Sequence, residues 1–213
     1  MSENINSNNK LLPVSVNKKF EGKYLIIKPI THNELNDRYL SWINNGEINR
    51  HLEVRYKKQN IRSLINYINY LRKKDNCELF AVFTRENLEH IGNCTITSYN
   101  FNGQGCVDFG IMIGNNDAKK MGLGAEIHII LLEYFFSDPE IFRMNAGVYS
   151  ENTKSWKTLE SLGYIREGVR RKNILLANGK RSDTYWYGIL REEWLLRRKK
   201  FKIITDNVII SDL

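Results

Sequence analysis

Two glycines, Gly122 and Gly124, separate a short apolar stretch that starts near Asp108 from a longer apolar run with the length of a helix. A strand, a glycine turn and a helix in this order leave backbone N–H groups at the start of the helix without partners inside it. These amides and the helix dipole favour an anion at that position. We therefore expect this turn to bind a phosphorylated ligand.

The residues around the turn argue against two common phosphate-binding loops. The loop of nucleoside triphosphatases ends in Gly-Lys-Ser/Thr, whereas Gly124 is followed by Ala125 and Glu126. The dinucleotide-binding turn needs a third small residue where Ile127 stands, and no βαβ unit with a ribose-binding acid is evident downstream. The first interpretation fails and the second has weak support.

Two motifs resemble the GNAT superfamily of acetyl-CoA-dependent N-acetyltransferases. Residues 119–124, Lys-Lys-Met-Gly-Leu-Gly, are similar to its pyrophosphate-binding turn, Gln/Arg-x-x-Gly-x-Gly/Ala, with Lys119 in place of Gln or Arg. Residues 150–168 are similar to the family's Asn-x-x-Ala/Ser helix, which ends in Leu-Gly-Phe/Tyr and leads into Glu-Gly. Residues 24–30 and 33–42 are similar to the opening strand and helix of the RimJ/RimL branch, so the resemblance covers about residues 22 to 195.

The resemblance implies a fold and a coenzyme. The fold is α/β (α+β), with a central mixed, mostly antiparallel sheet of about seven strands and helices on both faces. Its fourth and fifth strands, which begin near Gly105 and Arg143, are parallel and splay apart. Acetyl-CoA lies in that gap with its pantetheine arm placed like an added strand, and no metal takes part.

The resemblance also assigns residues of this sequence to the coenzyme. The main chain of Ile111, Met112 and Ile113 bonds the arm, and the amides of Met121, Gly122, Leu123, Gly124 and Ala125 bond the pyrophosphate. Lys119 and Lys120 could neutralise the phosphates or could be exposed lysines without a contact. Asn152 could hold the arm through its amide, could cap the following helix, or could do both.

Transfer of an acetyl group from a thioester to an amine needs a base for the protonated amine and a proton donor for the departing thiolate. Ser155 is the predicted donor, because similar proteins place a serine near the coenzyme sulfur and its hydroxyl can bond that sulfur. Many family members use a tyrosine four residues further on, where this sequence has Leu159. The alternative is that Ser155 is a small residue packed close to the sheet.

Asp108 is the predicted base. Strand alternation puts it on the same face as Gly110 and Met112, opposite the face of Phe109 and Ile111. A carboxylate in mid-strand is costly unless it is paired or lines a wet cleft. Asp108 would take the proton directly or through water, and a structural ion pair is the alternative.

The loop of residues 42–56 is expected to wall the acceptor site. Its Asn49, His51, Glu53 and Arg55 could read sugar hydroxyls or phosphates, or could belong to a polar connection. The loop looks like those of bacterial acetyltransferases that modify nucleotide-linked amino sugars for surface glycans or flagellin. Peptide N-termini and aminoglycosides remain alternative acceptors. The expected mechanism is direct transfer in a ternary complex.

Length and composition indicate a single domain. A chain of 213 residues is long enough for a sizeable core and needs no internal boundary. We expect a flexible arm over residues 1–20, the acetyltransferase domain over 21–200 and a tail over 201–213. The apolar residues 208–210 of the tail could pair with a partner subunit, as in a homodimer, or could be loose.

The formal net charge of +8 raises an alternative of another class, a nucleic-acid-binding protein that uses the basic stretches 166–172 and 197–202. Basic stretches are more often solvated faces, no recognised nucleic-acid motif accompanies them, and coenzyme A is itself polyanionic. Three cysteines without metal spacing and the lack of a secretory signal favour a reducing cytoplasm. The apolar runs are too short to span a membrane.

Periodicity predicts the elements that position these residues. Apolar residues recur at three and four over residues 60–73 and predict a helix. Residues 78–84 and 90–97 predict a hairpin, and 164–176 with 180–190 predict a second one around Ala-Asn-Gly. Between the hairpins, a strand over 105–114 leads into a helix over 122–137, and a strand over 143–149 leads into a helix over 153–162.

Overall fold

A nine-stranded sheet organises the chain in a computed structural model, which describes residues 17–74, 76–99 and 104–213. The strands are β1 (Lys18–Glu21), β2 (Leu25–Pro29), β3 (Cys77–Thr84), β4 (His90–Tyr99), β5 (Cys106–Ile113), β6 (Arg143–Tyr149), β7 (Ile165–Leu175), β8 (Arg181–Leu190) and β9 (Ile209–Asp212). Their order across the sheet is β7-β8-β6-β5-β4-β3-β2-β1-β9. Every neighbouring pair is antiparallel except β5 with β6. The predicted α/β class with a mixed, mostly antiparallel sheet is confirmed.

Helices cover both faces of the sheet. They are α1 (Asp37–Asn44), α2 (Gly46–Asn49), α3 (Ile61–Arg72), α4 (Asn116–Lys120), α5 (Leu123–Ser137), α6 (Thr153–Leu162), α7 (Arg191–Arg197) and α8 (Lys202–Thr205). One core cluster joins the sheet to α5 and α6, and a second joins its other face to α1 and α3. Within the described ranges, no helix is both long enough and apolar enough to cross a membrane.

The predicted helix over 60–73 illustrates why these elements form. Asn60 accepts a hydrogen bond from the amide of Ser63, and the Ser63 hydroxyl reaches back to the amide of Asn60. This reciprocal cap satisfies amides that have no partner inside the helix. Leu64, Ile68 and Leu71 then follow at helical spacing and are buried against the sheet.

The sheet has two more strands than predicted, β1 and β9, which pair with each other at one edge of the sheet. β9 runs antiparallel to β1, with Lys18 opposite Asp212, and a 2.6 Å ion pair joins the side chains of these two residues. The predicted tail is therefore not loose, and its strand partner lies in the same chain. Residues 1–16 of the predicted arm lie outside the described part of the chain, whereas residues 18–20 belong to β1.

The parallel strands β5 and β6 separate as predicted. Their pairing covers only Cys106 with Arg143, Val107 with Met144, and Asp108 with Asn145. Beyond these pairs the two strands no longer share a ladder, so a cleft opens between the last residues of β5 and β6. Backbone groups on the facing edges of the two strands are thereby left available for a ligand.

The start of α5 is held in place by a buried carboxylate. Glu126, in the first turn of α5, is 2% exposed and accepts a 2.7 Å hydrogen bond from the backbone amide of Tyr24. Tyr24 lies in the turn between β1 and β2, so this bond links the helix to the far part of the sheet. Glu126 is therefore an anchor of α5.

Candidate active site

The cleft between β5 and β6 has a volume of about 610 Å³. Its walls are residues 109–113 of β5, residues 146–149 of β6, and residues 151–155 at the start of α6. Gly122, Gly124 and Ala125 close one end at the start of α5, and residues 50–52 contribute from the loop after α2. The structure thus brings both predicted motifs, the glycine turn and the Asn152 helix, to one cleft.

The glycine turn presents free backbone amides to the cleft. Gly122 has a left-handed backbone (φ 72°) that favours glycine, and it precedes α5 without offering a side-chain cap. No acceptor among the described residues takes the amides of Leu123 and Gly124. An added Cβ at Gly122 would meet nothing within 4 Å, so the cleft remains open beside the turn. An anion can approach these two amides closely.

The predicted set of five amides is too broad. The amide of Met121 bonds the carbonyl of Asp117 at 3.0 Å, and that of Gly122 bonds the carbonyl of Lys119 at 3.3 Å. The amide of Ala125 bonds the carbonyl of Gly122 at 3.1 Å. These three amides are satisfied by the tight turn itself, which leaves the pair at Leu123 and Gly124.

Three cations line the cleft near this turn: Arg50, Lys119 and Lys154. Burial lowers the pKa of Lys119, and the charges of Lys154 and Arg50 lower it further. Mutual repulsion of this kind marks a site that a polyanion would stabilise. Arg50 and Lys154 were not predicted from the sequence.

Lys120 does not belong to this group. Its amine forms a 3.1 Å ion pair with Asp117 on the outside of α4, and both side chains are mostly exposed. Lys119 lines the cleft, whereas Lys120 is not part of the lining. Of the two interpretations of Lys120, the exposed lysine fits the structure.

Asn152 and Ser155 both line the cleft from α6. Asn152 occupies the N-cap position, but its side chain makes no capping hydrogen bond, so its amide is available to a ligand. Ser155 is half-buried in the first turn of α6. Leu159, one turn further on, packs into the core with 1% exposure. Of these two positions, Ser155 alone offers a hydroxyl to the cleft.

Asp108 lies at the last paired position of β5, where the sheet begins to open. Its carboxylate accepts a 2.7 Å hydrogen bond from the side-chain amide of Asn145. Arg143 donates a 2.7 Å hydrogen bond to the side-chain oxygen of Asn145, and it forms an ion pair with Glu167, also at 2.7 Å. The side-chain amide of Asn145 lies between the Asp108 carboxylate and Arg143, so these two residues form no direct ion pair.

Burial raises the pKa of the Asp108 carboxyl, and the Asn145 hydrogen bond and the Arg143 charge oppose that rise. Asp108 does not line the cleft, and it does not line a second cavity that adjoins the cleft. Gly110, two residues later on the same face of β5, lines both spaces. An added Cβ at Gly110 would meet nothing within 4 Å. Gly110 is therefore open on the face that it shares with Asp108.

A second space, the side cavity, adjoins the cleft and has a volume of about 430 Å³. Leu52 and residues 110–112 line both spaces, so the backbone of β5 forms their junction. The floor of the side cavity consists of β3, β4 and β5 residues, and its walls are residues of α1, α3 and the loop 52–59. Aromatic and aliphatic side chains dominate this lining, among them Tyr39 and Tyr67.

The four predicted acceptor residues do not form one group. His51 lines the cleft and packs edge-on against Tyr149, with ring centroids 5.8 Å apart, and burial lowers its pKa. Glu53 lines the side cavity and accepts a hydrogen bond from the Tyr149 hydroxyl. These two residues lie on either side of the junction at Leu52.

Asn49 and Arg55 hold the loop in place. The Asn49 side chain is buried and donates a 2.8 Å hydrogen bond to the carbonyl of Ile43. The Arg55 guanidinium donates to the Tyr149 hydroxyl and to the carbonyl of Leu175, both at 2.8 Å. Neither residue lines the cleft or the side cavity. Their contacts with Ile43, Tyr149 and Leu175 hold the loop, and the structure does not place them with His51 and Glu53 beside the two spaces.

Sequence reasoning missed the polar residues of β4 that line the side cavity, Asn93 and Thr95. A signal was present, since polar residues alternate with Cys94 and Ile96 in a strand that has neighbours on both sides. Buried polar residues at such positions need a hydrogen-bond partner. Among the described residues, no group of three or more His, Cys, Asp or Glu side chains could hold a metal ion.

Residues 24–165 match the acetyltransferase (GNAT) domain family. The chain is 34% identical over 122 residues to the uncharacterized N-acetyltransferase YnaD of Bacillus subtilis (strain 168), a match that covers 57% of this chain and 69% of YnaD. It is 32% identical over 135 residues to the uncharacterized N-acetyltransferase p20 of Bacillus licheniformis, over 62% of this chain and 73% of p20.

Solved structures share the fold. A GNAT-family acetyltransferase from Bacillus anthracis has a TM-score of 0.68 at 20% identity, over 82% of this chain and 99% of the other. Spermidine N-acetyltransferase from Vibrio cholerae, in complex with CoA and spermine, has a TM-score of 0.68 at 19% identity, over 80% of this chain and 98% of the other. At this level of identity the likeness concerns the fold alone. The domain match and the two Bacillus relatives show the family: the chain is an N-acetyltransferase of the GNAT family.

Proposed function

We propose that this enzyme transfers an acetyl group from acetyl-CoA in the cleft directly to a primary amine in the side cavity. The observation that carries the proposal is the shared lining of the two spaces along Leu52 and residues 110–112. Two ligands that meet at this junction need no covalent enzyme intermediate, because both can be held with their reacting atoms adjacent. Bound acetyl-CoA supplies the activated acetyl thioester.

The cleft fits the coenzyme at its anionic and its extended parts. The free amides of Leu123 and Gly124, with the cations of Arg50, Lys119 and Lys154, suit a pyrophosphate. The main chain of residues 111–113 has no β6 partner, and it suits the amides of a pantetheine arm. The uncapped Asn152 side chain offers a further hydrogen bond to that arm.

Ser155 acts as the proton donor in this proposal. Its hydroxyl lines the cleft and can donate a hydrogen bond to the departing sulfur, which favours the leaving thiolate. Backbone amides of β5 at the junction polarise the acetyl carbonyl. Neither step needs a metal.

Asp108 acts as the base, directly or through water. Its raised pKa favours proton uptake, and the hydrogen bond from Asn145 orients the carboxylate beside the open space at Gly110. Removal of a proton from the ammonium form is needed because only the neutral amine can attack. The pairing of Asp108 with Asn145 is thus the positioning device for the base.

For the acceptor we propose an amino sugar, linked to a nucleotide as in surface-glycan precursors. The side cavity is within the usual size range of small-ligand sites, and it combines aromatic walls with the amide and hydroxyl groups of Asn93 and Thr95. This combination suits a sugar ring, which has apolar faces and hydroxyl edges. No Lys or Arg is among the described residues of the lining, so nucleotide phosphates would lie outside the cavity.

One observation favours a second acceptor class, a small cationic amine such as a peptide N-terminus, an aminoglycoside or a polyamine. Glu53 lines the side cavity and is the one carboxylate in the described lining. A carboxylate at this position would attract a protonated amine. The Tyr149 hydroxyl already donates a hydrogen bond to this carboxylate, and the Arg55 guanidinium lies 3.6 Å from it. These two contacts reduce its attraction for a ligand cation.

An acceptor panel tests the proposal. The purified enzyme with acetyl-CoA is offered UDP- and dTDP-linked amino sugars, free glucosamine, short peptides, aminoglycosides and spermidine, and thiol release is followed. We expect the highest kcat/KM with a nucleotide-linked amino sugar. A preference for spermidine or an aminoglycoside would establish the cationic class instead. Absence of acetyl-CoA binding by calorimetry would contradict the donor half of the proposal.

A further inference from the structure

The side cavity is lined by one residue, Asn93, whose side-chain nitrogen is buried without a hydrogen-bond partner among the described residues. Asn93 of β4 is 3% exposed and lines the cavity floor. Its side-chain nitrogen has no acceptor among the described residues. A buried donor without a partner is costly, and native proteins retain such groups mainly where a ligand or water completes them.

His90 determines how the Asn93 amide is oriented. The His90 Nε2 atom lies 3.0 Å from the carbonyl oxygen of Gly92 and 3.1 Å from the Asn93 Oδ1 atom. Because the Gly92 carbonyl can only accept, Nε2 must carry the proton and donate. The Asn93 oxygen therefore faces His90, and the Asn93 nitrogen is directed away from it.

The His90 ring cannot readily turn to change this arrangement. Trp42 and Phe83 pack against it, with ring centroids at 5.2 Å and 5.4 Å. Burial lowers the pKa of His90, so the neutral ring with its single donor is the form present at pH 7. The orientation of the Asn93 amide is thus built into the core behind the cavity.

Gln59, Tyr67 and Thr95, which also line the cavity, already have partners. The Gln59 side chain bonds the Ser63 hydroxyl at 2.8 Å and the carbonyl of Lys57 at 2.6 Å. The Tyr67 hydroxyl forms a side-chain hydrogen bond with Thr95. Asn93 is consequently the outstanding donor on the cavity floor. In the sheet it lies opposite Met112, one of the residues at the junction with the cleft.

We propose that Asn93 is a specificity-determining residue, whose side-chain nitrogen donates a hydrogen bond to an oxygen on the acceptor close to its reactive amine. The inference rests on the proposed function, since it assigns the side cavity to the acceptor. It narrows the acceptor to amines with a neighbouring hydroxyl or carbonyl group. Amino sugars meet this condition and plain alkyl amines and polyamines do not.

Two ring amines that differ in one hydroxyl test the proposal. The probes are cyclohexylamine and a vicinal aminocyclohexanol, which has the amine and the hydroxyl on neighbouring ring carbons. We expect the wild-type enzyme to prefer the amino alcohol by about 10-fold to 100-fold in kcat/KM, because the amine without a hydroxyl leaves Asn93 unpaired. If turnover of the two rings is too slow, their inhibition constants against the best acceptor of the panel give the same ratio.

Asn93→Leu should reduce this preference to about 1-fold while the affinity for acetyl-CoA stays unchanged. His90 keeps its bond to the Gly92 carbonyl in this variant, and an unpaired buried donor disappears, so Tm should stay the same or rise. Asn93→Ala, which cannot overfill the cavity, is the second variant and should show the same loss of preference.

Two outcomes would overturn the proposal. Equal use of the two rings by the wild-type enzyme would show that no oxygen is read. A markedly lower Tm for both variants, with the preference intact, would show that Asn93 serves the fold. If the wild-type enzyme did not bind acetyl-CoA, the proposed function itself would be contradicted, so the two failures are distinguishable.

Discussion

Asn145 donates a 2.7 Å hydrogen bond to Asp108 across the last paired position of β5 and β6. Burial raises the pKa of this carboxyl group, which lies two residues before Gly110, a residue that lines both the cleft and the side cavity. Arg143 holds Asn145 from the other side and is itself neutralised by Glu167. The carboxylate is thereby oriented by an amide and remains outside a direct ion pair.

Asp108→Asn should lower kcat by about 100-fold or more, because the variant cannot accept a proton from the amine. Its folded state should be at least as stable at pH 7, since burial disfavours the charged carboxylate that the substitution removes. Steady-state kinetics and thermal unfolding measure the two effects. Glu167→Gln is the control. It changes the residue that pairs with Arg143 at the other end of the Asp108–Asn145–Arg143–Glu167 network, and kcat should stay within about 3-fold of the wild-type value. Near-normal turnover of Asp108→Asn would exclude Asp108 as the base.

The pH dependence should follow the raised pKa of Asp108. Activity needs the ionised carboxylate, so kcat/KM should fall as the pH falls through a value above the ordinary pKa of about 3.9 for aspartate. The stability effect has the opposite sign: a raised pKa in the folded state contributes stability at low pH that is lost as the pH rises through that pKa. A pH profile of kcat/KM with an acceptor of known pKa tests the first statement. An acid limb that persists unchanged in Asp108→Asn would assign it to another group.

Ser155→Ala should lower kcat by about 10-fold to 100-fold, because the departing thiolate loses its hydrogen-bond donor. Affinity for acetyl-CoA, measured by calorimetry, should change by less than about 2-fold, since the other cleft contacts remain. Ser161→Ala on the exposed face of α6 is the matched control, as its hydroxyl bonds only the carbonyl of Thr158 within the helix. Unchanged turnover in Ser155→Ala would remove Ser155 from the mechanism.

Lys119 and Lys120 offer a matched pair for the coenzyme site. Lys119→Met should weaken acetyl-CoA binding by about 5-fold to 10-fold and reduce its salt dependence, because Lys119 lines the cleft beside the free amides. Lys120→Met should change the affinity by less than about 2-fold, since Lys120 pairs with Asp117 away from the cleft. Calorimetric titrations at two salt concentrations separate the variants. Equal effects of both substitutions would indicate a long-range field in place of a contact.

Local sequence signals predicted the elements that form the cleft. The glycine turn and the helix after Asn152 are short contiguous motifs, and each carries its own backbone requirement, such as the left-handed conformation at Gly122. The strand and helix bounds around them follow from apolar periodicity and from turn residues such as Gly179. These features depend on residues that are close together in the sequence, so they can be recognised in a single sequence.

The acceptor half depends on contacts between distant residues, which no local pattern encodes. Arg55 is polar and lies in a loop, yet it anchors that loop to Leu175 at the end of β7. Asn93 stands in an ordinary strand, and its significance appears only when His90 and the side cavity are seen around it. The pairing of β1 with β9 likewise joins segments far apart in the chain, which hydrophobic patterning cannot specify.

Glu126 fixes the first turn of α5 to the turn between β1 and β2. The helix cannot translate along its axis without breaking the bond to Tyr24. The position of the Leu123 and Gly124 amides therefore depends on the turn between β1 and β2. Gly22 stands directly against the Glu126 carboxylate, and any side chain there would displace it. The alignment of the proposed coenzyme site is thus set by a turn whose residues lie outside the lining of the cleft.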